Sequence, residues 1–107
     1  MQFQFSSDNQ IEGGNDVATR VEEIVLARLD RIQDRLTRVE VHVGDVSGPR
    51  NGGDDKRCVV ELRPAGMAPI SATDQASDIF NAVSNAADKA LVVFERLVGK
   101  RTDRKGH

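Results

Sequence analysis

The spacing of apolar residues changes several times along the chain, and each change marks an element. Gln2-Phe3-Gln4-Phe5-Ser6 alternates polar and apolar, which predicts a short strand with both Phe on one face. After a Gly13-Gly14-Asn15 turn, Val17, Val21, Val25, Leu29, Ile32 and Leu36 recur every three or four residues. That stripe predicts an amphipathic helix of about five turns, which Asn15 or Asp16 can cap. Thr37 to Val46 returns to period two, with Val39, Val41 and Val43 on one face and Arg38, Glu40 and His42 on the other. Gly44 to Asp55 holds four Gly, one Pro, three Asp and one Asn, so it reads as a loop, long for a hairpin and a candidate for function.

Alternation resumes from Lys56 to Pro64, with Cys58, Val60 and Leu62 in the apolar phase. Pro64-Ala65-Gly66 predicts a turn, and Pro69 to Thr73 a short strand whose leading proline suits a sheet edge. The last element is a long helix capped by Thr73 or Asp74. Its buried stripe is Ala76, Ile79, Val83, Ala86, Ala90, Phe94 and Leu97, and Gly99 is its stop. The order β-α-β-β-β-α predicts an α+β fold, two helices on one face of a four-stranded, mostly antiparallel sheet, because that arrangement buries every stripe. A chain of 107 residues has room for one domain, here residues 1–99, followed by a basic tail at 100–107.

Composition narrows the function. The longest apolar run, Ala90 to Phe94, is far short of the roughly 18–20 residues of a membrane span, and no basic-then-apolar leader opens the chain, so a cytoplasmic protein is expected. One cysteine and two histidines leave no disulfide and no metal-ligand spacing. Cys58 lies in the apolar phase of its strand and reads as a buried thiol, and His42 reads as a sheet-surface side chain. The glycines between Gly44 and Asp55 match neither a phosphate-cradling loop nor a dinucleotide fingerprint, and Asp54-Asp55 reads as a turn. With no nucleophile or acid–base pair in a catalytic pattern, neither an enzyme nor a cofactor or small-molecule substrate is expected.

Charge first argues against a nucleic-acid partner, since 15 Lys and Arg face 17 Asp and Glu for a net −2. Its distribution reverses that. Residues 1–87 carry 9 basic and 14 acidic side chains, whereas residues 88–107 carry 6 basic and 3 acidic ones. At ~100° per residue, Lys89, Arg96 and Lys100 fall within about 40° on the last helix, and Arg20, Arg28, Arg31 and Arg35 within about 80° on the first. Two readings stay open. The Arg flanks can cover the apolar stripe and pair with neighbours, such as Asp16 with Arg20 or Arg31 with Asp34. Alternatively, both helices turn these ridges toward one phosphate-binding groove. With no Trp or Tyr and four Phe, stacking on single-stranded bases is poorly supplied, so backbone and shape recognition of structured RNA is the compatible mode.

The chain as a whole resembles the ribosome hibernation-promoting factor and ribosome-associated inhibitor family, also known as sigma-factor modulation proteins. The resemblance rests on the β-α-β-β-β-α order, Leu36-Thr37-Arg38-Val39-Glu40-Val41-His42-Val43, and Asp55-Lys56-Arg57-Cys58 leading into Glu61-Leu62-Arg63-Pro64-Ala65-Gly66. Ile79-Phe80-Asn81-Ala82-Val83 followed by Ala87-Asp88-Lys89 completes it, and it covers about residues 1–100. It implies a regulator that binds ribosomal RNA of the small subunit in the messenger and transfer RNA channel and reversibly inactivates ribosomes under stress or in stationary phase. It also implies a short form without the C-terminal dimerisation domain of long members, expected to be a monomer off the ribosome. Carried over by position, the implied RNA contacts are Lys89 and Arg96 in the last helix, Lys56 and Arg57 at the start of the third strand, and Arg28 and Arg31 in the first helix. Lys100 and Arg101 extend the set. The alternative of a different class is a protein-interaction module that uses the acidic surface of residues 1–87 on the same scaffold.

Overall fold

The computed structural model describes residues 1–8, 14–46 and 55–106, with side chains at 1–8, 15–46 and 55–99. Four strands, β1 (Gln2–Ser7), β2 (Leu36–Asp45), β3 (Lys56–Pro64) and β4 (Ile70–Ala76), form one sheet in the order β1-β2-β3-β4. Helices α1 (Gly14–Arg28) and α2 (Ile79–Gly106) complete the order β-α-β-β-β-α. β1 runs parallel to β2, as the intervening helix allows, and the other two pairings are antiparallel. The α+β architecture expected from the stripes is the one observed.

Both helices cover one face of the sheet. Val39, Val41 and Val43 of β2 and Cys58, Val60 and Leu62 of β3 meet Val21, Val25 and Leu29 and Ala82, Val83, Ala86, Ala90 and Phe94 in one buried cluster. Burial raises the Cys58 thiol to about 12, with Asp74 adding to the shift, so it is a neutral core side chain. The loop expected between Gly44 and Asp55 falls largely at 47–54, outside the described residues. Pro64-Ala65-Gly66 is the turn its sequence predicts, and Gly66 at φ 73° occupies the left-handed region where a side chain is strained.

The first helical stripe is not one five-turn helix. The α-helix ends at Arg28, and Asp30–Arg35 is a 3₁₀ turn in which the Ile32 N–H donates to the Leu29 carbonyl at 2.9 Å. Gln33 Nε2 donates to the Leu26 carbonyl at 2.8 Å, supplying a donor near the helix end. The stripe continues across the break because 3₁₀ spacing also brings every third residue to one side. At its other end α1 already begins at Gly14, ahead of the expected caps Asn15 and Asp16.

Three further expectations are corrected around α2. Thr73, Asp74 and Ala76 belong to β4, and the helix is capped by Asp78, whose Oδ1 accepts the N–H groups of Phe80 at 2.6 Å and Asn81 at 3.3 Å. Leu97 is 39% exposed, so among the described side chains the fully buried stripe ends at Phe94. Gly99 does not stop the helix, which continues to Gly106, so the backbone at 100–106 is helical.

The face of the sheet away from the helices is polar and carries a charge lattice. Register places Arg38 opposite Arg63 and Glu40 opposite Glu61, like against like. The attractive contacts run along and across the strands instead: Arg38 to Glu40 at 3.0 Å, Arg63 to Glu61 at 3.0 Å and Arg63 to Glu40 at 3.5 Å. The hydrogen bond from Arg63 holds the Glu61 carboxyl below the usual carboxylate range.

Candidate nucleic-acid interface

The cations singled out by the sequence occupy three places. Arg28, at the end of α1, reaches Asp88 of α2 at 3.3 Å, and Arg31, in the 3₁₀ turn, reaches Glu95 at 2.8 Å. These pairs close the seam between the helices. Arg20 pairs with Glu23 at 3.7 Å, so the pairings suggested by local spacing, Asp16 with Arg20 and Arg31 with Asp34, give way to other partners.

Lys89 and Arg96 lie on the other flank of α2. Lys89 reaches Asp74 of β4 at 3.3 Å, and with Arg96 it lines a groove of about 460 Å³ between α2 and β4, with Ala72, Val92 and Val93 among its walls. α2, with Asp88 and Glu95 on its α1 side, therefore lies between the two basic ridges, and they do not share one groove. The side chains of Lys100 and Arg101 are outside the described residues.

Lys56 and Arg57 start β3. Lys56 donates to Asp45 at 2.5 Å and lies 3.9 Å from Asp55, and the Asp45 contact raises its ammonium above the ordinary range. Arg57 is exposed on the open sheet face, beside a hollow of about 120 Å³ lined also by Asp8, His42 and Asp45. Among the described residues, Arg57 and Arg96 have no ion-pair partner, while Arg28, Arg31 and Lys89 each have one and Lys56 has two.

One group was missed by the sequence reading. His42 Nδ1 is 2.7 Å from Ser6 Oγ, and its Nε2 is 3.2 Å from Asp8 Oδ1. Ser6 and His42 are cross-strand partners, so the parallel register of β1 on β2 is the signal that brings them together. All three are exposed on the open sheet face. Among the described residues no three potential metal ligands cluster, and no helix is long and apolar enough to cross a membrane.

The sequence profile of one family, Sigma 54 modulation protein / S30EA ribosomal protein, matches residues 4–102. The chain belongs to this family. The S30EA match spans nearly the whole described fold, and it bears out the resemblance to hibernation-promoting factors. Two solved structures share the S30EA chain's fold. The Thermus thermophilus Protein Y N-terminal domain is 22% identical with a TM-score of 0.68, covering 91% of this chain and 99% of that one. A ribosomal subunit interface protein from Coxiella burnetii is 15% identical with a TM-score of 0.67, covering 92% and 99%. No curated protein sequence matches the chain. S30EA proteins are ribosome-associated modulation factors, not a known class of enzyme.

Proposed function

We propose that the protein binds structured RNA of the small ribosomal subunit, within the channel that messenger and transfer RNA use, and reversibly inactivates ribosomes under stress or in stationary phase. The observation that carries this reading is family membership over residues 4–102. Arg96 faces the groove beside β4, Arg57 the open sheet face and Arg28 with Arg31 the seam between the helices. Each is a phosphate contact that gives affinity without reading sequence, and the fit to a shaped cleft supplies specificity. The protein acts in the cytoplasm, as a monomer off the ribosome and without a cofactor or small-molecule substrate.

Sucrose-gradient co-sedimentation with purified subunits tests this. At low salt the protein is expected to travel with small subunits and not with large ones, and the double variant Lys89→Glu, Arg96→Glu to stay at the top. A wild-type protein that also stays at the top overturns the proposal.

A further inference from the structure

The sheet ends at β4, and an ion pair on that edge imitates the strand that is not there. Asp74 Oδ1 accepts the Gln75 backbone N–H at 2.9 Å and the Lys89 ammonium at 3.3 Å, while Lys89 Nζ donates to the Thr73 carbonyl at 3.4 Å. The two backbone groups so occupied, Thr73 C=O and Gln75 N–H, flank a single residue. They are the pair that one residue of a neighbouring parallel strand would take. The substitute is easily replaced, because the Lys89 side chain is 57% exposed and exposed ion pairs contribute little.

Beside this edge runs the groove between β4 and α2. Ala72, Val92 and Val93 give it an apolar floor, Val92 being 44% exposed, and Lys89 and Arg96 give it two cations. Arg96 has no ion-pair partner among the described residues, and the acid on the wall, Asp88, is engaged by Arg28.

We propose that this edge and groove bind an extended acidic peptide of a partner protein, added as a fifth strand beside β4. An apolar side chain of the peptide lies over Val92 and Val93, with a carboxylate on either side of it for Lys89 and Arg96. The dimensions agree. Lys89 and Arg96 are seven residues apart, about 10 Å along a helix, and carboxylates at positions i and i+4 of a strand span about 13 Å, within reach of two long cationic side chains. A peptide carboxylate replaces Asp74 at Lys89, and the peptide backbone takes the Thr73 C=O and Gln75 N–H, so Lys89 and both backbone groups keep a partner while the Asp74 carboxylate gives up these two contacts. An RNA strand would use the two cations and leave the apolar floor and the backbone edge without a complement, which favours a peptide. This site does not rest on ribosome binding, although the shared Lys89 and Arg96 make peptide and ribosomal RNA mutually exclusive.

The test is a titration of ¹⁵N-labelled protein with the peptide acetyl-Thr-Glu-Thr-Val-Thr-Glu-Thr-amide, with its counterpart carrying Lys in place of both Glu, and with an RNA hairpin. The glutamate peptide is expected to shift the amides of Ser71, Thr73 and Gln75 and those from Lys89 to Arg96. Arg96→Glu, Val92→Glu and Gln75→Pro are each expected to weaken it at least tenfold. Unchanged spectra elsewhere establish that the variants are folded, and should Gln75→Pro unfold the chain the two helix variants decide. The proposal is overturned if the edge amides stay still, if the lysine peptide binds equally well, or if protein concentration alone shifts them, which means a second copy sits there. It is also overturned if only the RNA hairpin moves these amides, and that result leaves the ribosomal reading standing.

Discussion

Arg31, in the 3₁₀ turn after α1, donates to Glu95 of α2 at 2.8 Å across 64 residues of sequence. Together with Arg28 on Asp88, it gives each guanidinium an internal carboxylate partner, in the position a phosphate oxygen takes in the proposed complex. The Arg31 and Glu95 side chains are 65% and 43% exposed, and pairs that exposed contribute only about 0–1 kcal/mol to folding. In the proposed complex their larger effect is expected on RNA binding, where each acid competes with phosphate for the same guanidinium.

The double variant Asp88→Asn, Glu95→Gln is therefore expected to keep its folding stability within about 1 kcal/mol and to bind small subunits more tightly at low salt. Freeing two arginines steepens the dependence of log affinity on log salt, by roughly 0.7–0.9 for each additional phosphate contact. Binding measured across a salt series checks this, and an unchanged slope would show that Arg28 and Arg31 do not touch the RNA.

Arg96 and Arg57 have no ion-pair partner among the described residues. Arg96→Ala and Arg57→Ala should each lower the salt slope by about one without regard to RNA sequence. Lys56→Ala should change the slope less, since Lys56 is held by Asp45 at 2.5 Å and is 28% exposed.

The alternating strands were legible because each contributes one face to the core. The bounds of β3 coincide with the expected Lys56 to Pro64, and the Val39, Val41, Val43 phase is the buried one. What the sequence hid was junctions and long-range partners. The stripe through Leu29 and Ile32 continues unbroken across a change from α to 3₁₀ winding, so spacing alone does not locate the break. Thr73 and Asp74 look like caps but alternate in β4, while Asp78 sits just ahead of the helix. The basic ridges were legible as residues but not as a surface. Their acidic partners on α2 are 60 and 64 residues away, and nothing in local spacing links Arg28 to Asp88.

Among the described side chains, Phe94 is the last fully buried residue of α2, with the Arg35 guanidinium 5.2 Å from its ring centre. Phe94→Ala is expected to cost about 3–5 kcal/mol, a large share of the ~5–15 kcal/mol of a small domain. Leu97→Ala, three residues on and 39% exposed, should cost far less. Urea unfolding midpoints of the two variants measure the contrast, and equal losses would place the end of the buried stripe beyond Phe94.

Capping gives a second stability contrast. Asp78→Ala removes the acceptor for the Phe80 and Asn81 amides and should cost about 1 kcal/mol. Thr73→Ala removes a strand hydroxyl with no part in the helix start and should cost less, again read from urea midpoints.

Cys58 ties stability to alkaline pH. Its thiol is fully buried and raised to about 12, whereas an unfolded chain ionises it near its ordinary pKa of about 8.5. Below that ordinary value both states hold the proton, and the thiol adds no pH dependence. Above it the unfolded chain releases a proton that the native state keeps, so stability falls as pH rises toward the folded value. Arginine and lysine also titrate at high pH, so the measured quantity is the difference between wild type and Cys58→Ala. That difference should be flat below about pH 8 and should move against wild type between about pH 9 and 11. The same burial makes the native thiol inert to a thiol reagent at pH 8 and reactive once urea unfolds the chain. Rapid modification of the folded protein would show that the sheet opens at Cys58 far more readily than its full burial in the core cluster implies.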